Sequence, residues 1–320
     1  MRRSAHTHGE CHVAIVGAGD VGTDLMVKIQ HDDGPLRVAA LVDTDPDVEG
    51  LLRGRSMGVP TTDAGIQGLL RMPHFGDIKL VFDATTAGVH GANRAALKAS
   101  GIRMVNLTPA AAGAYCVPAV NLRECLDTQN ISLVSGGGQA AIPIVAAVSC
   151  VGSVAYAEAV ISISSKSAGP GIRGSIDEFI ESTTAAMSSV GGARQSKVVL
   201  VINPADPPVM MRTTVYCLVD GDADCVAIEE SITSMVARVN GYMRGYRLKQ
   251  EVLFESFSTG TPLGASEAGR FRGIRVTAMV EVAGAGGHLP VYAGNVDMMT
   301  SAAKIAAEHI MAAGASGLRT

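Results

Sequence analysis

Residues 12–30 read HVAIVGAGDVGTDLMVKIQ, and this stretch decides the fold of the chain. A short apolar strand runs straight into a glycine turn, G-x-G-x-x-G, and the residues after the turn are apolar at helical spacing. Three glycines at this spacing are a weak signal by themselves, but the flanking strand and helix give them a structural context. The stretch therefore predicts a strand, a turn and a helix whose N-terminus faces a phosphate group.

Each glycine of the turn has a geometric role. Gly17 permits the sharp turn out of the strand, Gly19 leaves room for a pyrophosphate, and Gly22 lets helix and strand pack closely. Asp43 ends the second strand, where it can accept hydrogen bonds from an adenosine ribose and would repel a 2′-phosphate. The pattern favours NAD over NADP. Asp45 competes for this role, and both acids also suit a turn in DTDPD.

Strands and helices alternate as far as residue 135, which predicts parallel strands with right-handed crossovers. Beyond about residue 150 the strands are longer, which is typical of an α+β domain with a more antiparallel sheet. The predicted fold class is α/β: a doubly wound dinucleotide-binding domain with a second α+β domain. The predicted boundaries are 1–135 for the NAD-binding domain, 136–290 for the substrate domain and 291–320 for a C-terminal helix that packs back on the first domain.

The composition narrows the class of protein. The 320 residues are 47% hydrophobic and 18% charged, enough for one large core or two joined ones. A net charge of −4 and an aromatic content of 4% exclude nucleic acid as an expected partner. The chain has no clean apolar run of spanning length, so no membrane partner is expected. Six cysteines without metal or disulfide spacing predict no metal site and a cytoplasmic location.

Seven blocks of sequence resemble, in order and spacing, the acylating acetaldehyde dehydrogenases that act after the aldolase in meta-cleavage pathways. The resemblance covers residues 12–312, and its blocks are AIVGAGDVGTDLM, DATTAGVH, NLTPAA, GGQAAIPIVAAVS, SSKSAGPGIRGSIDEF, VINPADPPVMMRTTVY and LPVYAGNVDMMT. It implies NAD as cofactor, a small aldehyde or acyl-CoA as substrate, and an acyl group held as a thioester on a cysteine. It also implies that the second α+β domain serves catalysis and dimerisation, and that a companion aldolase is a possible partner. We further expect a homo-oligomer.

The resemblance also assigns cofactor-binding residues. It gives the glycines of the turn to the pyrophosphate and places five further residues around the nicotinamide half, namely Ser167, Gly169, Gly171, Arg173 and Asn295.

Two positions depart from the family pattern where chemistry is expected. The family's nucleophile lies in T-C-G-G-Q-A-x-I-P, and Gly136 takes the place of that cysteine. Thr213, in MRTTV, takes the place of a family acid that would be a plausible general base. A thiolate is needed because it attacks the carbonyl and then leaves to CoA. Ser135 is adjacent to the vacant position, but an unassisted hydroxyl is a poor nucleophile.

Other residues offer weaker candidates for the missing chemistry. His90 follows a strand end, where a loop histidine could relay a proton to a carbonyl oxygen. A helix-start or surface role is the more common alternative for such a histidine. Cys150 would lie roughly 21 Å along a helix from Gly136, at about 1.5 Å per residue. Cys116 is expected to be a packing residue.

Three functions remain open at this point. In the first, an NAD(H)-dependent oxidoreductase still makes or uses an acyl thioester by an altered route. A non-acylating enzyme that transfers hydride directly to a carbonyl or imine is the second. The third is a catalytically silent NAD-binding subunit of an aldolase complex.

Overall fold

The computed structural model of the protein describes residues 10–109, 112–262 and 270–317. The helices are α1 (Asp20–Gln30), α2 (Glu49–Ser56), α3 (Gly65–Leu70), α4 (Ala87–Leu97), α5 (Pro118–Cys125), α6 (Gly136–Ser149), α7 (Pro170–Arg173), α8 (Ile176–Ser189), α9 (Cys225–Asn240) and α10 (Gly294–Gly317). The strands of the first sheet are β1 (Cys11–Val16), β2 (Leu36–Val42), β3 (Thr61–Thr62), β4 (Leu80–Asp83), β5 (Arg103–Asn106), β6 (Ala114–Tyr115) and β7 (Asn130–Ser132). Those of the second are β8 (Val154–Ser164), β9 (Gln195–Asn203), β10 (Met211–Asp220), β11 (Tyr246–Leu248), β12 (Leu253–Pro262) and β13 (Arg270–Val282).

The first sheet is parallel throughout and follows the order β3-β2-β1-β4-β5-β7-β6. Its central strands are apolar without alternation, because helices cover both faces of a doubly wound sheet. Ile15 and Phe82 belong to one buried cluster and Val81 to another. The direction of winding reverses between β1 and β4, and a crevice opens there at the carboxyl ends of the strands. The predicted α/β class is confirmed.

The second sheet follows the order β11-β13-β10-β8-β9, with β12 also paired to β13. Its neighbouring strands are antiparallel except β8 and β9, which run parallel. The sequence predicts the long strands β8, β9, β10 and β13, but it gave no signal for β11 and β12. These two acquire their strand conformation by pairing with β13, which is a tertiary effect.

Two helices connect the sheets. Every residue from Gly136 to Val148 of α6 is buried, which explains the apolar character of this helix. The last helix, α10, packs against α1 on the first sheet and also against α6. Among the described residues, no helix combines the length and the apolar character that crossing a membrane requires.

A buried carboxylate ties three strand segments of the second sheet together. Glu281 of β13 is 5% exposed and accepts hydrogen bonds from Arg247 Nη2 at 2.6 Å, Lys249 Nζ at 3.0 Å and Arg212 Nε at 3.3 Å. The hydrogen bond from Arg247 is the main cause that lowers the pKa of Glu281 to about 2, against the opposing effect of burial. The cluster therefore stabilises the fold only while Glu281 is ionised.

We expect Glu281→Gln to lower the free energy of unfolding by about 2 kcal/mol at pH 7, because it removes a charge-assisted acceptor from three cations. The stabilisation by a carboxylate with a lowered pKa is complete above its ordinary pKa of 4.5 and is lost as the pH falls toward 2. Urea denaturation at several pH values measures this. The difference between wild type and variant should shrink between pH 4.5 and 2, and a constant difference would contradict the assignment.

Candidate functional site

A cavity of about 520 Å³ lies at the carboxyl ends of β1 and β4, between the two sheets. Five segments contribute to its wall. They are the glycine turn (17–22), the β4–α4 turn (84–86), the N-terminus of α6, the loop of residues 165–175 that contains α7 (the α7 loop), and the start of α10. The predicted site residues that line it are Gly17, Gly19, Asp43, Ser135, Gly136, Ser167, Gly169, Gly171 and Asn295. The fold thus brings together residues from both halves of the sequence.

The glycines of the turn are of two kinds. A side chain would not fit at Gly17 or Gly22, whereas open space surrounds Gly19. A Cβ on Gly17, which has a φ of +100°, would lie 2.5 Å from the carbonyl oxygen of Ala84. On Gly22, which is buried and does not line the cavity, a Cβ would come well inside 3.0 Å of the Gly17 carbonyl oxygen. A Cβ on Gly19 would meet nothing within 4 Å. Gly19 therefore leaves free space beside the N-terminus of α1, as binding of a pyrophosphate requires.

Asp43 orders the turn after β2 and reaches the glycine turn. Its Oδ2 accepts a hydrogen bond from the Ala18 backbone at 2.6 Å, and its Oδ1 accepts from Thr44 at 2.7 Å and from Asp45 at 3.1 Å. A carboxylate accepts about four hydrogen bonds, so capacity remains for a ribose hydroxyl. Asp45 is exposed and accepts from the backbone of Asp47 at 3.0 Å, as a turn residue does.

The prediction that His90 lies in a loop is wrong. His90 belongs to α4 and is 1% exposed, and its Nδ1 lies 2.9 Å from Asp83 Oδ2. Asp83 also accepts from Thr85 Oγ1 at 2.5 Å and Asn93 Nδ2 at 3.3 Å. His90 does not line the cavity. The contact with Asp83 joins α4 to the end of β4. The helix begins at Ala87, earlier than the sequence suggested.

The turn into α6 is strained and capped. Val134 has a left-handed φ of +64°, which is unfavourable for a β-branched residue. Ser135 is the N-cap of α6, and its Oγ accepts a hydrogen bond from the Gly138 backbone at 2.9 Å. The same hydroxyl lies 2.8 Å from Thr183 Oγ1. Ser135 is therefore engaged in capping the helix and in a hydroxyl pair, and no described base contacts it.

The position expected for the nucleophile has no space for a side chain. A Cβ built on Gly136 would come well inside 3.0 Å of the backbone carbonyl oxygen of Asn295. Asn295 also donates from Nδ2 to the Ser167 carbonyl oxygen at 3.3 Å, which holds the start of α10 against the α7 loop. The buried Oδ1 of Asn295 has no hydrogen-bond partner within the described parts of the chain. The carbonyl therefore fills the volume that the Cβ of a cysteine would need.

Two other predicted site residues, Thr213 and Arg173, do not line the cavity. Thr213 is 0% exposed in β10 and faces the core, and its Oγ1 has no hydrogen-bond partner in the part of the chain that the structure describes. Arg173 donates from Nε to the Ala168 carbonyl oxygen at 2.8 Å and from Nη2 to that of Ser165 at 3.0 Å. Its guanidinium group closes its own loop instead of facing a ligand.

None of the six cysteines, all of which lie within the described ranges, lines the cavity. Cys150 is exposed at the C-terminal end of α6, away from Gly136. Cys116 is buried, and a hydrogen bond with Cys125 together with burial raises the pKa of its thiol. A thiol held in its protonated form is a poor nucleophile, so Cys116 is a packing residue, as expected.

Several residues of the cavity wall were not predicted from the sequence. Asp20 lies inside the glycine motif and lines the cavity, although the spacing rule for the glycines gives this position no role. Phe179 and Ile163 form an apolar part of the wall. Their sequence gives no signal, because apolar residues in helices and strands ordinarily belong to the core.

Comparison with known proteins gives consistent matches. The family model described as prokaryotic acetaldehyde dehydrogenase, dimerisation, matches residues 136–290. A protein of Mycolicibacterium vanbaalenii named probable inactive acetaldehyde dehydrogenase 1 is 58% identical over 94% of this chain and 95% of its own length. Acetaldehyde dehydrogenase 4 of Burkholderia lata is 53% identical over 94% of this chain and 96% of its own length. Acetaldehyde dehydrogenase 2 of Pseudomonas putida is 52% identical over 96% of this chain and 98% of its own length.

Proposed function

The chain belongs to the acetaldehyde dehydrogenase family, and from that premise we propose that it binds NAD(H) in the cavity but does not form an acyl thioester. The close approach of the Asn295 carbonyl oxygen to Gly136 carries this proposal. The chain is thus an acetaldehyde dehydrogenase-like oxidoreductase with an altered active site, in which the cofactor half is retained and the acyl-transfer half is lost.

The retained half suits a dinucleotide. Gly19 leaves room for the pyrophosphate at the N-terminus of α1, and Asp43 is close enough to the turn to accept from a ribose hydroxyl. The unpartnered Oδ1 of Asn295 suits the amide group of nicotinamide, which is a hydrogen-bond donor. Ser167, Gly169 and Gly171 would border the same half. NAD supplies a hydride acceptor when bound, and these residues would orient it.

The carboxylate of Asp43 should make the site selective. We expect NADH to bind at least about tenfold more tightly than NADPH, because a 2′-phosphate would lie against Asp43 and lose more than about 1.4 kcal/mol. Titration of reduced-nicotinamide fluorescence measures both dissociation constants. An Asp43→Asn variant serves as the matched control, since it removes the charge and should narrow the ratio. Equal affinities in the wild type would contradict the assigned role.

The lost half lacks the groups that acyl transfer needs. The family mechanism requires a thiolate at the N-terminus of α6, where the helix dipole favours the charged form. Here Gly136 provides no atom to attack a carbonyl, and Ser135 caps the helix instead. Thr213, at the position of the family acid, cannot accept a proton as a carboxylate does.

The oligomeric state, the location and the partner protein are proposed from the family match and from the cysteines. The match to a dimerisation domain supports a homo-oligomer. We propose a cytoplasmic location, which fits six free cysteines, and an aldolase as a further partner through the resemblance alone.

The decisive assay compares NADH binding with turnover in the purified full-length protein. We expect NADH to bind, but we expect no CoA-dependent formation of NADH from acetaldehyde above background. The homologous acetaldehyde dehydrogenase of Pseudomonas putida serves as the positive control. Formation of acetyl-CoA at a rate similar to that of the homologue would overturn the proposal, and failure to bind NADH would overturn its cofactor half.

One observation favours a second function, direct hydride exchange with a small carbonyl compound. Ser135 lines the cavity, and its hydroxyl lies 2.8 Å from that of the buried Thr183. If Thr183 donates to Ser135, the Ser135 hydroxyl can donate its own hydrogen bond to a carbonyl oxygen in the cavity. NADH oxidation by free aldehydes without CoA would support this function over a catalytically silent subunit.

A further inference from the structure

The glycine turn carries an acid at the place where a phosphate is expected. Asp20 is the first residue of α1, it is exposed, and its side chain borders the cavity. A Cβ on Gly169 would lie 3.4 Å from Asp20 Oδ2, so the carboxylate stands between the glycine turn and the α7 loop. A pyrophosphate bound at the N-terminus of α1 would therefore lie beside a negative charge.

The cavity wall does not balance this charge. Asp20 and Asp43 are the two carboxylates that line the cavity, and no lysine or arginine lines it in the described ranges. The two cationic side chains of the α7 loop that could balance the charge are engaged elsewhere. Arg173 donates to carbonyl oxygens of its own loop, and Lys166 pairs with Asp206 at 3.2 Å. The backbone N–H groups of α1 are left as the favourable partners of the pyrophosphate.

A carboxylate at the first turn of a helix is also favourable for the helix itself. It interacts with the positive end of the helix dipole, as a bound phosphate would. Asp20 and a bound pyrophosphate therefore compete for the same positive potential at the N-terminus of α1. The neutral amide of asparagine in place of Asp20 would remove this competition and keep the shape of the side chain.

We propose that Asp20 is an affinity-determining residue that weakens the binding of the dinucleotide pyrophosphate through direct charge repulsion. This inference rests on the proposed function, because it assumes that NAD(H) occupies the cavity. It predicts an unusual response to salt. Added salt normally weakens the binding of an anion, but here it should strengthen the binding of NADH, because it screens the repulsion by Asp20.

The test compares Asp20→Asn with wild type and with the control Asp47→Asn. Asp47 is exposed and does not line the cavity, so its variant makes the same change of charge away from the site. NADH and ADP-ribose are titrated by fluorescence and calorimetry at low and high salt. We expect Asp20→Asn to tighten both ligands about tenfold at low salt, to lose the strengthening by salt, and to lower the melting temperature of the ligand-free protein slightly.

Each outcome has a distinct meaning. Equal or weaker binding by Asp20→Asn, with NADH still bound by wild type, overturns the role of Asp20 and leaves the proposed function intact. An equal gain in Asp47→Asn would also overturn it, because the effect would then arise from net charge. Failure of wild type and Asp20→Asn to bind either ligand overturns both proposals.

Discussion

Gly136→Cys is expected to destabilise the protein and to leave CoA-dependent turnover absent. Restoring the cysteine supplies the missing sulfur atom, but its Cβ would overlap the Asn295 carbonyl oxygen. A backbone atom cannot turn aside as the end of a flexible side chain does. The start of α10 or of α6 must therefore shift, and overpacking of this kind costs about 1–3 kcal/mol. Chemical denaturation and the NAD-linked acetaldehyde assay measure the two effects.

A second glycine of the cavity provides the control for this experiment. Gly171 lines the same cavity, and a Cβ there would meet nothing within 4 Å. Gly136→Ala should lower the free energy of unfolding by about 2 kcal/mol, whereas Gly171→Ala should change it by less than about 0.5 kcal/mol. Robust acyl-CoA formation by a stable Gly136→Cys protein would show that only the cysteine was missing.

Gly19→Ala should abolish most of the affinity for NADH without changing stability. The φ of Gly19 is −73°, which alanine adopts without strain, and a Cβ would project into open space. That space is where we place the pyrophosphate, so a methyl group there should weaken binding by about tenfold or more, or about 1.4 kcal/mol. Parallel titration with NADH and thermal unfolding separate the two effects.

Gly22→Ala is the matched variant with the opposite result for stability. Its Cβ would overlap the Gly17 carbonyl oxygen, so the close packing of α1 on β1 must open. We expect a loss of about 1–3 kcal/mol in the free energy of unfolding. If Gly19→Ala destabilised the protein and Gly22→Ala did not, the roles that we give these glycines would be reversed.

The two halves of the cavity respond differently to the loss of the cysteine. The half that we propose for the dinucleotide depends on backbone geometry. Its turns contain the motif glycines and Asp83, which contacts His90 and Asn93. The acyl half depends on one sulfur atom and the volume around it. Once a glycine stands there, the neighbouring backbone can approach, and the Asn295 carbonyl oxygen lies in that volume. Restoring acyl transfer would then need more than the single substitution of Gly136 by cysteine.

The sequence by itself determined the fold class, and it predicted the glycine turn and Asp43 as the pyrophosphate and ribose side of the proposed cofactor site. Both follow from local patterns: a glycine turn between a strand and a helix, alternation of strands and helices, and an acid at the end of the second strand. Such features depend on residues close together in the chain, so one sequence suffices to predict them. The change at Gly136 was also readable, because the surrounding motif fixes the position.

Only the tertiary structure decided which residues far apart in the chain come into contact at the site. It placed His90 in a buried helix and directed Arg173 back to its own loop. It also brought Asn295, from the far end of the chain, against Gly136. These contacts join residues distant in sequence, and their geometry depends on how whole helices pack. A local pattern carries no information on that packing, so the sequence identified the missing thiol but not the carbonyl group that fills its place.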